Sequence, residues 1–86
     1  MNFELTNSFE KKTQKLCHKD SSIKSALTKQ FKIFNQNPRN PSLKLHKLQG
    51  DRSTHFAIWI KGNLRALAIK VKDTYIFFDL ITHDEY

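Results

Sequence analysis

The sequence predicts an α+β fold in which a short N-terminal strand and a helical hairpin precede a three-stranded antiparallel meander. Residues 56–83 contain three apolar runs rich in Ile, Val, Phe, Trp and Tyr, separated by two short polar turns. Connections this short allow only antiparallel pairing, because a parallel crossover needs about a dozen residues. Before the meander, residues 23–34 show helical periodicity and residues 2–6 alternate like a strand. The predicted order is therefore βααβββ, with both helices on one face of the sheet.

The N-terminal strand is predicted at residues 2–6, where Phe3 and Leu5 fall on the same side. Asn7 followed by Glu10 fits a capping box, so we expect a first helix to begin at Asn7. This helix has few apolar residues and many lysines, which predicts a position at the surface.

A second helix is predicted between Asp20, a typical N-cap, and the Asn37-Pro38 pair that should end it. Its apolar residues recur at helical spacing. They are Ile23, Ala26, Leu27, Phe31 and Phe34. We expect the two helices to form an antiparallel hairpin that packs this stripe on the sheet.

Residues 37–55 have no strong periodicity and are predicted to form a long connection, which Leu43, Leu45 and Leu48 attach to the core. Connections of this length in compact domains are often functional. This one carries a set of basic side chains. They are Arg39, Lys44, His46, Lys47, Arg52 and His55.

The turn of the first β-hairpin is predicted at Gly62-Asn63, because Gly at the first central position suits a type II′ turn. That turn pairs Trp59 with Ala66. The small alanine beside the large indole predicts that a helix packs on their face of the sheet. Arg65, the one charge in the middle of this apolar hairpin, would then lie on the opposite face.

Length and composition predict a single domain spanning residues 1–86, near the lower limit for folding without staples. The lone Cys17 excludes an internal disulfide and a thiolate zinc cluster. The N-terminus does not resemble a signal peptide, and no apolar run approaches the length that spans a bilayer. We therefore expect a cytoplasmic protein without a membrane partner.

The net charge of +7 and the pI near 9.8 are unevenly distributed. Residues 1–46 contain nine Lys and Arg against three acids, and residues 47–86 contain six against five. A small cytosolic domain this basic predicts a polyanionic partner, with nucleic acid the first candidate. The alternative is a lysine-rich face that serves solvation alone.

Four sequence features occur in a characteristic order. They are Phe3-x-Leu5 followed by Phe9, the PSLKLHKLQG segment at 41–50, Asn63-Leu64-Arg65, and the THDEY ending at 82–86. With these features the chain resembles the RelE/ParE superfamily of toxins from bacterial type II toxin–antitoxin systems. The resemblance covers essentially the whole chain.

The resemblance implies a function as well as a fold. In the RelE/YafQ branch it implies a ribosome-dependent mRNA endoribonuclease (an mRNA interferase) that inhibits translation without a metal ion or cofactor. Its expected partners are the ribosome, mRNA and a cognate antitoxin with an acidic toxin-binding segment. In the ParE branch it implies a non-enzymatic inhibitor of DNA gyrase.

Cleavage of RNA through its own 2′-hydroxyl needs a base, an acid for the leaving 5′-oxygen and a cation for the phosphorane charge. Histidine can take either proton-transfer role, and arginine offers a bidentate donor set to phosphate. The resemblance marks His46, Arg65, His83 and Tyr86 as the candidate catalytic residues. Candidate substrate-binding residues are Lys44, Lys47, Arg52, His55, Lys61 and Asp84.

Each candidate also has a structural interpretation. Arg65 could form an ion pair with Asp79 or Asp84, and His46 could simply bond backbone carbonyls. His83 could be an ordinary exposed histidine.

The chain departs from the YafQ-like pattern at three positions. Asn63 replaces an acidic residue, Ile60 a second strand histidine, and Ile81 the usual glycine. By that pattern the catalytic set is incomplete. An inert, basic RNA-binding relative is therefore a third interpretation.

The second turn decides which faces of the sheet carry Arg65 and His83. A two-residue loop at residues 73–74 would place the two side chains on opposite faces. A three-residue loop at residues 72–74, or a β-bulge, would place them on the same face. The nuclease hypothesis predicts the loop of three or the bulge, unless the tail leaves the strand before His83.

Overall fold

The computed structural model describes residues 2–48 and 55–82. Its elements are β1 (Asn2–Leu5), α1 (Asn7–Lys19), α2 (Ser21–Gln36), a 3₁₀ turn (Pro41–Leu43), β2 (His46–Lys47), β3 (His55–Lys61), β4 (Leu64–Val71) and β5 (Thr74–Thr82). The predicted α+β fold is confirmed. The 3₁₀ turn and β2 are additions, because both lie in the segment predicted to be a connection.

The five strands form one sheet in the order β1-β5-β4-β3-β2. Strands β3, β4 and β5 make the predicted antiparallel meander. Strand β1 adds to β5 in parallel and β2 adds to β3 antiparallel, so the complete sheet is mixed. In the described part of the chain, neither helix is long and apolar enough to cross a membrane.

The helix ends follow from their capping residues. The hydroxyl of Thr6 accepts the N–H of Phe9 at 3.1 Å, so Thr6 and not Asn7 is the N-cap of α1. The predicted cap at Asn7 is wrong by one residue, because Thr6 holds the extended conformation that an N-cap needs. Asp20 caps α2 through the N–H of Ser22, as predicted.

The main core lies between the helices and one face of the sheet. Phe9 is the one buried residue of α1, which confirms the predicted surface position of that helix. In α2, Leu27 and Phe34 are buried, and Phe31 packs edge-on against Phe77 with ring centroids 4.8 Å apart.

Gln30 is a polar residue inside this core, with 2% of its surface exposed. Its amide Nε2 donates to the carbonyl of Trp59 at 2.9 Å and to that of Ser42 at 3.2 Å. A buried amide is tolerated where it is hydrogen-bonded. Gln30 therefore attaches α2 to the strand and to the turn that border the candidate site.

The first hairpin has the predicted turn but not the predicted register. Lys61 pairs with Leu64 across Gly62-Asn63, and Gly62 has a φ of +53°. A β-bulge at Ile60 then shifts the pairing by one residue.

Because of this shift, Trp59 lies opposite Arg65 instead of Ala66. A shift of one residue moves a side chain to the other face. The predicted packing of a helix on Trp59 is therefore wrong: the helices cover Ile58, Ile60 and Ala66, and Trp59 lies on the far side with Arg65.

The second hairpin contains the irregularity that the nuclease hypothesis predicted. Its loop has two residues, Lys72 and Asp73, because Val71 pairs with Thr74. A β-bulge at Phe78 then shifts the register between β4 and β5. Arg65 consequently pairs with Ile81.

Candidate functional site

The candidate site lies on the face of the sheet turned away from the helices, called the distal face here. Its floor is a small apolar cluster of Leu48, Ala57, Leu67 and Ile81, with Phe78 packed against it. Trp59 and Arg65 lie along one end of this floor, separated by the bulge at Ile60 from the Lys61–Leu64 pair that closes the β3–β4 turn.

Arg65 is half-buried, and its Nη1 donates to the carbonyls of Gly62 at 2.9 Å and Leu64 at 3.3 Å. Asp79, one of its two predicted ion-pair partners, binds Lys12 instead at 2.9 Å. Within residues 2–48 and 55–82, no carboxylate lies within ion-pair distance of Arg65. Its remaining N–H groups can therefore serve an anion, with the side chain already held in place by the turn.

Lys44 and Trp59 lie at the same end of the apolar floor as Arg65. The ammonium group of Lys44 lies 5.5 Å from the centre of the Trp59 ring, in the range of a cation–π contact. The indole Nε1 donates to the carbonyl of Gly62 at 2.9 Å, the same oxygen that Arg65 uses. Lys44 itself has a left-handed backbone, with a φ of 50°.

His46 lies exposed on β2, opposite Ala57, and therefore on the distal face. Its Nδ1 is 2.9 Å from the carbonyl of Lys44. A carbonyl can only accept, so Nδ1 carries a hydrogen and, in the neutral ring, Nε2 keeps a free lone pair. The bond to a backbone carbonyl thus also orients a proton-accepting nitrogen.

The strand register gives the separation of these groups. His46 and Arg65 are two strands apart and offset by two residues along β3. Standard strand spacing and rise place their Cα atoms about 12 Å apart. Both residues lie on the distal face, with Ala57 and Trp59 on the strand between them.

Three other predicted substrate-binding residues lie apart from this group. Lys61 bonds the hydroxyl of Ser22 and lies 3.6 Å from a carboxylate oxygen of Asp20, at the start of α2. Lys47 lies opposite Phe56, where it borders a cleft of about 260 Å³.

His55, the third of them, begins β3 and packs its ring against Phe78 with centroids 5.1 Å apart. Its Nδ1 is buried and makes no hydrogen bond within the described residues. His55 is thus packed against the distal face of the sheet, and its substrate-binding role stays a prediction.

His83, Tyr86, Arg52 and Asp84 lie outside the described residues, and their roles stay predictions. Within residues 2–48 and 55–82, no three His, Cys, Asp or Glu side chains form a group that could hold a metal ion. The metal-independent chemistry also stays a prediction.

Asp20 lies away from the distal face, and its carboxyl group has a lowered pKa. The hydroxyl of Ser22, then its backbone N–H, donate to this carboxylate and lower its pKa. Asp20 thus belongs to the helix cap, and Lys61 adds to that cap.

Trp59 and Gln30 are the site residues that sequence reasoning missed. The shifted register brings Trp59 to the distal face, and a bulge one residue long leaves no pattern in the sequence. Gln30 occupies a position within the apolar stripe of α2. A polar residue at a buried position of the helix was the sequence feature that could have identified it.

Comparisons with known proteins support the fold by structure alone. No protein-family model matches the sequence, and no curated protein is similar to it in sequence. Several solved structures do match over nearly their whole length.

Three of these structures illustrate the sequence identity and structural similarity of the matches. A copper-bound mutant toxin from Helicobacter pylori matches with a TM-score of 0.71 and 23% identity, over 99% of this chain and 97% of that one. A YoeB/ParE toxin from Agrobacterium tumefaciens matches with a TM-score of 0.76 and 14% identity, over 96% and 99%. YafQ from Escherichia coli matches with a TM-score of 0.67 and 20% identity, over 98% and 94%.

YafQ is also known in a toxin–antitoxin complex with DinJ, and in that form it covers 98% of this chain at 21% identity. The fold of this chain is thus the fold of toxins from toxin–antitoxin systems, and the predicted resemblance to the RelE/ParE superfamily is confirmed at that level.

Proposed function

Starting from this shared toxin fold, we propose that the chain is the toxin of a type II toxin–antitoxin system and cleaves mRNA on the ribosome without a metal ion. The observation that carries the proposal is the arrangement of Arg65 and His46 on the distal face. One offers a guanidinium held by backbone carbonyls, and the other offers an oriented ring nitrogen.

In the proposed reaction, the 2′-oxygen of the RNA attacks the adjacent phosphorus and the 5′-oxygen leaves. Nε2 of His46 takes the proton of the 2′-hydroxyl, because Nδ1 is already engaged with Lys44. Arg65 binds the non-bridging oxygens and stabilises the charge that grows on them. Products are a 2′,3′-cyclic phosphate and a free 5′-hydroxyl.

The leaving 5′-oxygen needs a proton, and we assign this role to His83. The register of β4 and β5 supports the assignment, since Ile81, two residues before His83, lies opposite Arg65. Asp84 would orient His83, and Tyr86 would contact the phosphate or a base. Lys44 would hold the RNA chain, with Arg52 making a further contact to RNA.

The proposed partner that silences the toxin is an antitoxin with an acidic binding segment. Two features support it: the net charge of +7, and the two edges of the sheet at β1 and β2, where a strand can be added. Leu5, at the β1 edge, is 38% exposed and borders an apolar groove of about 550 Å³.

The test is induced expression without an antitoxin, followed by mapping of mRNA ends on translating ribosomes. We expect growth arrest with cuts in phase with codons, both lost in Arg65→Ala and His83→Ala. Lys29→Ala removes an exposed positive charge on α2 and serves as the control that keeps both effects.

Two outcomes would contradict the proposal. Growth arrest with intact mRNA and damaged DNA would identify a ParE-type inhibitor of gyrase. Normal growth with folded protein present would identify an inert RNA-binding relative.

A further inference from the structure

Trp59 is the only tryptophan in the chain, and the proposed reaction does not use it. It lies half-buried on the distal face, on the same rung of the sheet as Arg65. The helices, which cover most of the aromatic side chains, lie on the opposite face. An aromatic ring of this size at a basic surface is a feature that packing in the main core does not explain.

The contacts of Trp59 hold its ring in one orientation. Its Nε1 and the Nη1 of Arg65 donate to the carbonyl of Gly62, so these two nitrogens lie within about 6 Å of each other. Behind the strand, Gln30 binds the backbone carbonyl of Trp59 itself. Side chain and backbone are thus both anchored by hydrogen bonds.

Two positive charges lie beside this oriented ring. Nη1 of Arg65 lies near its Nε1 edge, because both nitrogens donate to the Gly62 carbonyl, and the ammonium of Lys44 lies over one face, 5.5 Å from the ring centre. Within residues 2–48 and 55–82, neither cation has a carboxylate partner. An aromatic ring beside positively charged groups is a combination with which proteins bind single-stranded nucleic acid.

We propose that Trp59 is a stacking platform for one nucleobase of a single-stranded RNA, whose adjacent phosphates are bound by Arg65 and Lys44. This inference rests on the proposed function for its RNA substrate, and it adds a positioning residue next to the reacting phosphodiester. Stacking on the indole fixes the nucleotide against Arg65. Cleavage then requires that this base is unstacked from its neighbours.

The platform has a consequence for sequence preference. Every base has a flat face, so stacking accepts all four, with differences set by the stacking strength of each base. We expect a modest preference for purines at one position of the RNA, because their larger rings cover more of the indole.

A binding experiment tests the platform separately from cleavage. The probe is a short single-stranded oligonucleotide with 2′-O-methyl riboses, which cannot be cut because the attacking hydroxyl is blocked. Its partner probe has the same number of phosphates but abasic sugars. Because Trp59 is the sole tryptophan, fluorescence quenching reports directly on a base at its ring.

We expect the base-bearing oligonucleotide to quench the fluorescence and to bind about 5- to 150-fold more tightly than the abasic one, the range for one base stacked on an aromatic ring. In Trp59→Leu, anisotropy of labelled probes should show equal affinity for the two. Trp59→Phe should keep most of the difference, and it also controls for loss of folding.

Equal affinities of the wild-type chain for the two probes, unquenched fluorescence at saturation, or no binding at low salt would overturn the platform. The experiment also separates the two proposals. Base-dependent quenching without any cleavage on ribosomes would leave the platform and remove the nuclease. Cleavage on ribosomes without base-dependent binding would support the nuclease and remove the platform.

Discussion

The two faces of the sheet differ in how much of their surface is apolar and buried. The face under the helices is a continuous apolar core. The one buried polar side chain described there, Gln30, donates both of its amide hydrogens to backbone carbonyls. The distal face has a small apolar floor bordered by Arg65 and His46, whose side chains bond backbone carbonyls, and by Lys44 over the Trp59 ring. The first face therefore holds the fold together, while the second carries basic side chains that lack a carboxylate partner among the described residues.

The largest expected effect is on the helix-covered face. Phe34→Ala removes a fully buried ring that contacts Tyr75 and Phe77, and should lower the free energy of unfolding by about 3–5 kcal/mol. Urea denaturation measures it. Val71→Ala, at a side chain that is 49% exposed, is the control and should change it by less than about 0.5 kcal/mol. A small effect of Phe34→Ala would show that the core is not where stability resides.

On the distal face, substitution should affect activity more than it affects stability. Asn in place of His46 can still donate to the Lys44 carbonyl but lacks the free ring nitrogen. His46→Asn should therefore slow mRNA cleavage by about 10²- to 10⁴-fold, the usual contribution of a general base. Equal cleavage rates for His46→Asn and wild type would remove His46 from the catalytic set.

An intermediate effect is expected at the residue that connects the two faces. Gln30→Met keeps the length of the side chain but leaves the carbonyls of Trp59 and Ser42 without their donor. We expect a loss of about 1–3 kcal/mol in the free energy of unfolding. Gln36→Met, exposed on the same helix, is the control.

The smallest effect concerns the helix cap at Asp20. Its pKa is lowered in the folded state, so its carboxylate contributes stability above the unfolded pKa of about 3.9 and loses that contribution as the pH falls through the folded value. Asp20→Asn keeps a capping side chain without the charge. The difference between the unfolding midpoints of wild type and Asp20→Asn should therefore shrink between pH 6 and pH 3. A constant difference would contradict the assignment.

The sequence predicted the elements well because they depend on local patterns. Asp20 caps α2 and Gly62 makes the first turn as expected, since both positions have a local chemical requirement. The stripe containing Leu27 and Phe34 packs on the sheet for the same reason.

The distal face was harder to predict because two single-residue bulges determine it. The bulge at Ile60 moves Trp59 next to Arg65, and the bulge at Phe78 sets Arg65 opposite Ile81. A bulge depends on how a sheet twists over its core, which alternation along one strand does not encode. Hence the sequence singled out Arg65 as a candidate site residue, and its role stays a prediction, while its neighbour Trp59 was not singled out.

The most direct test of the division between the faces is the rate of mRNA cleavage on programmed ribosomes by Arg65→Ala and Arg65→Lys, measured with their stability in urea. We expect Arg65→Ala to lose about 10²- to 10³-fold in rate, as when one group that stabilises transition-state charge is removed. Arg65→Lys should recover part of it, since it restores charge without the bidentate donors. Both should remain folded, with a loss in the free energy of unfolding of no more than about 3 kcal/mol from the two hydrogen bonds to the Gly62 and Leu64 carbonyls. Undiminished cleavage by a stable Arg65→Ala would contradict a catalytic role for the distal face.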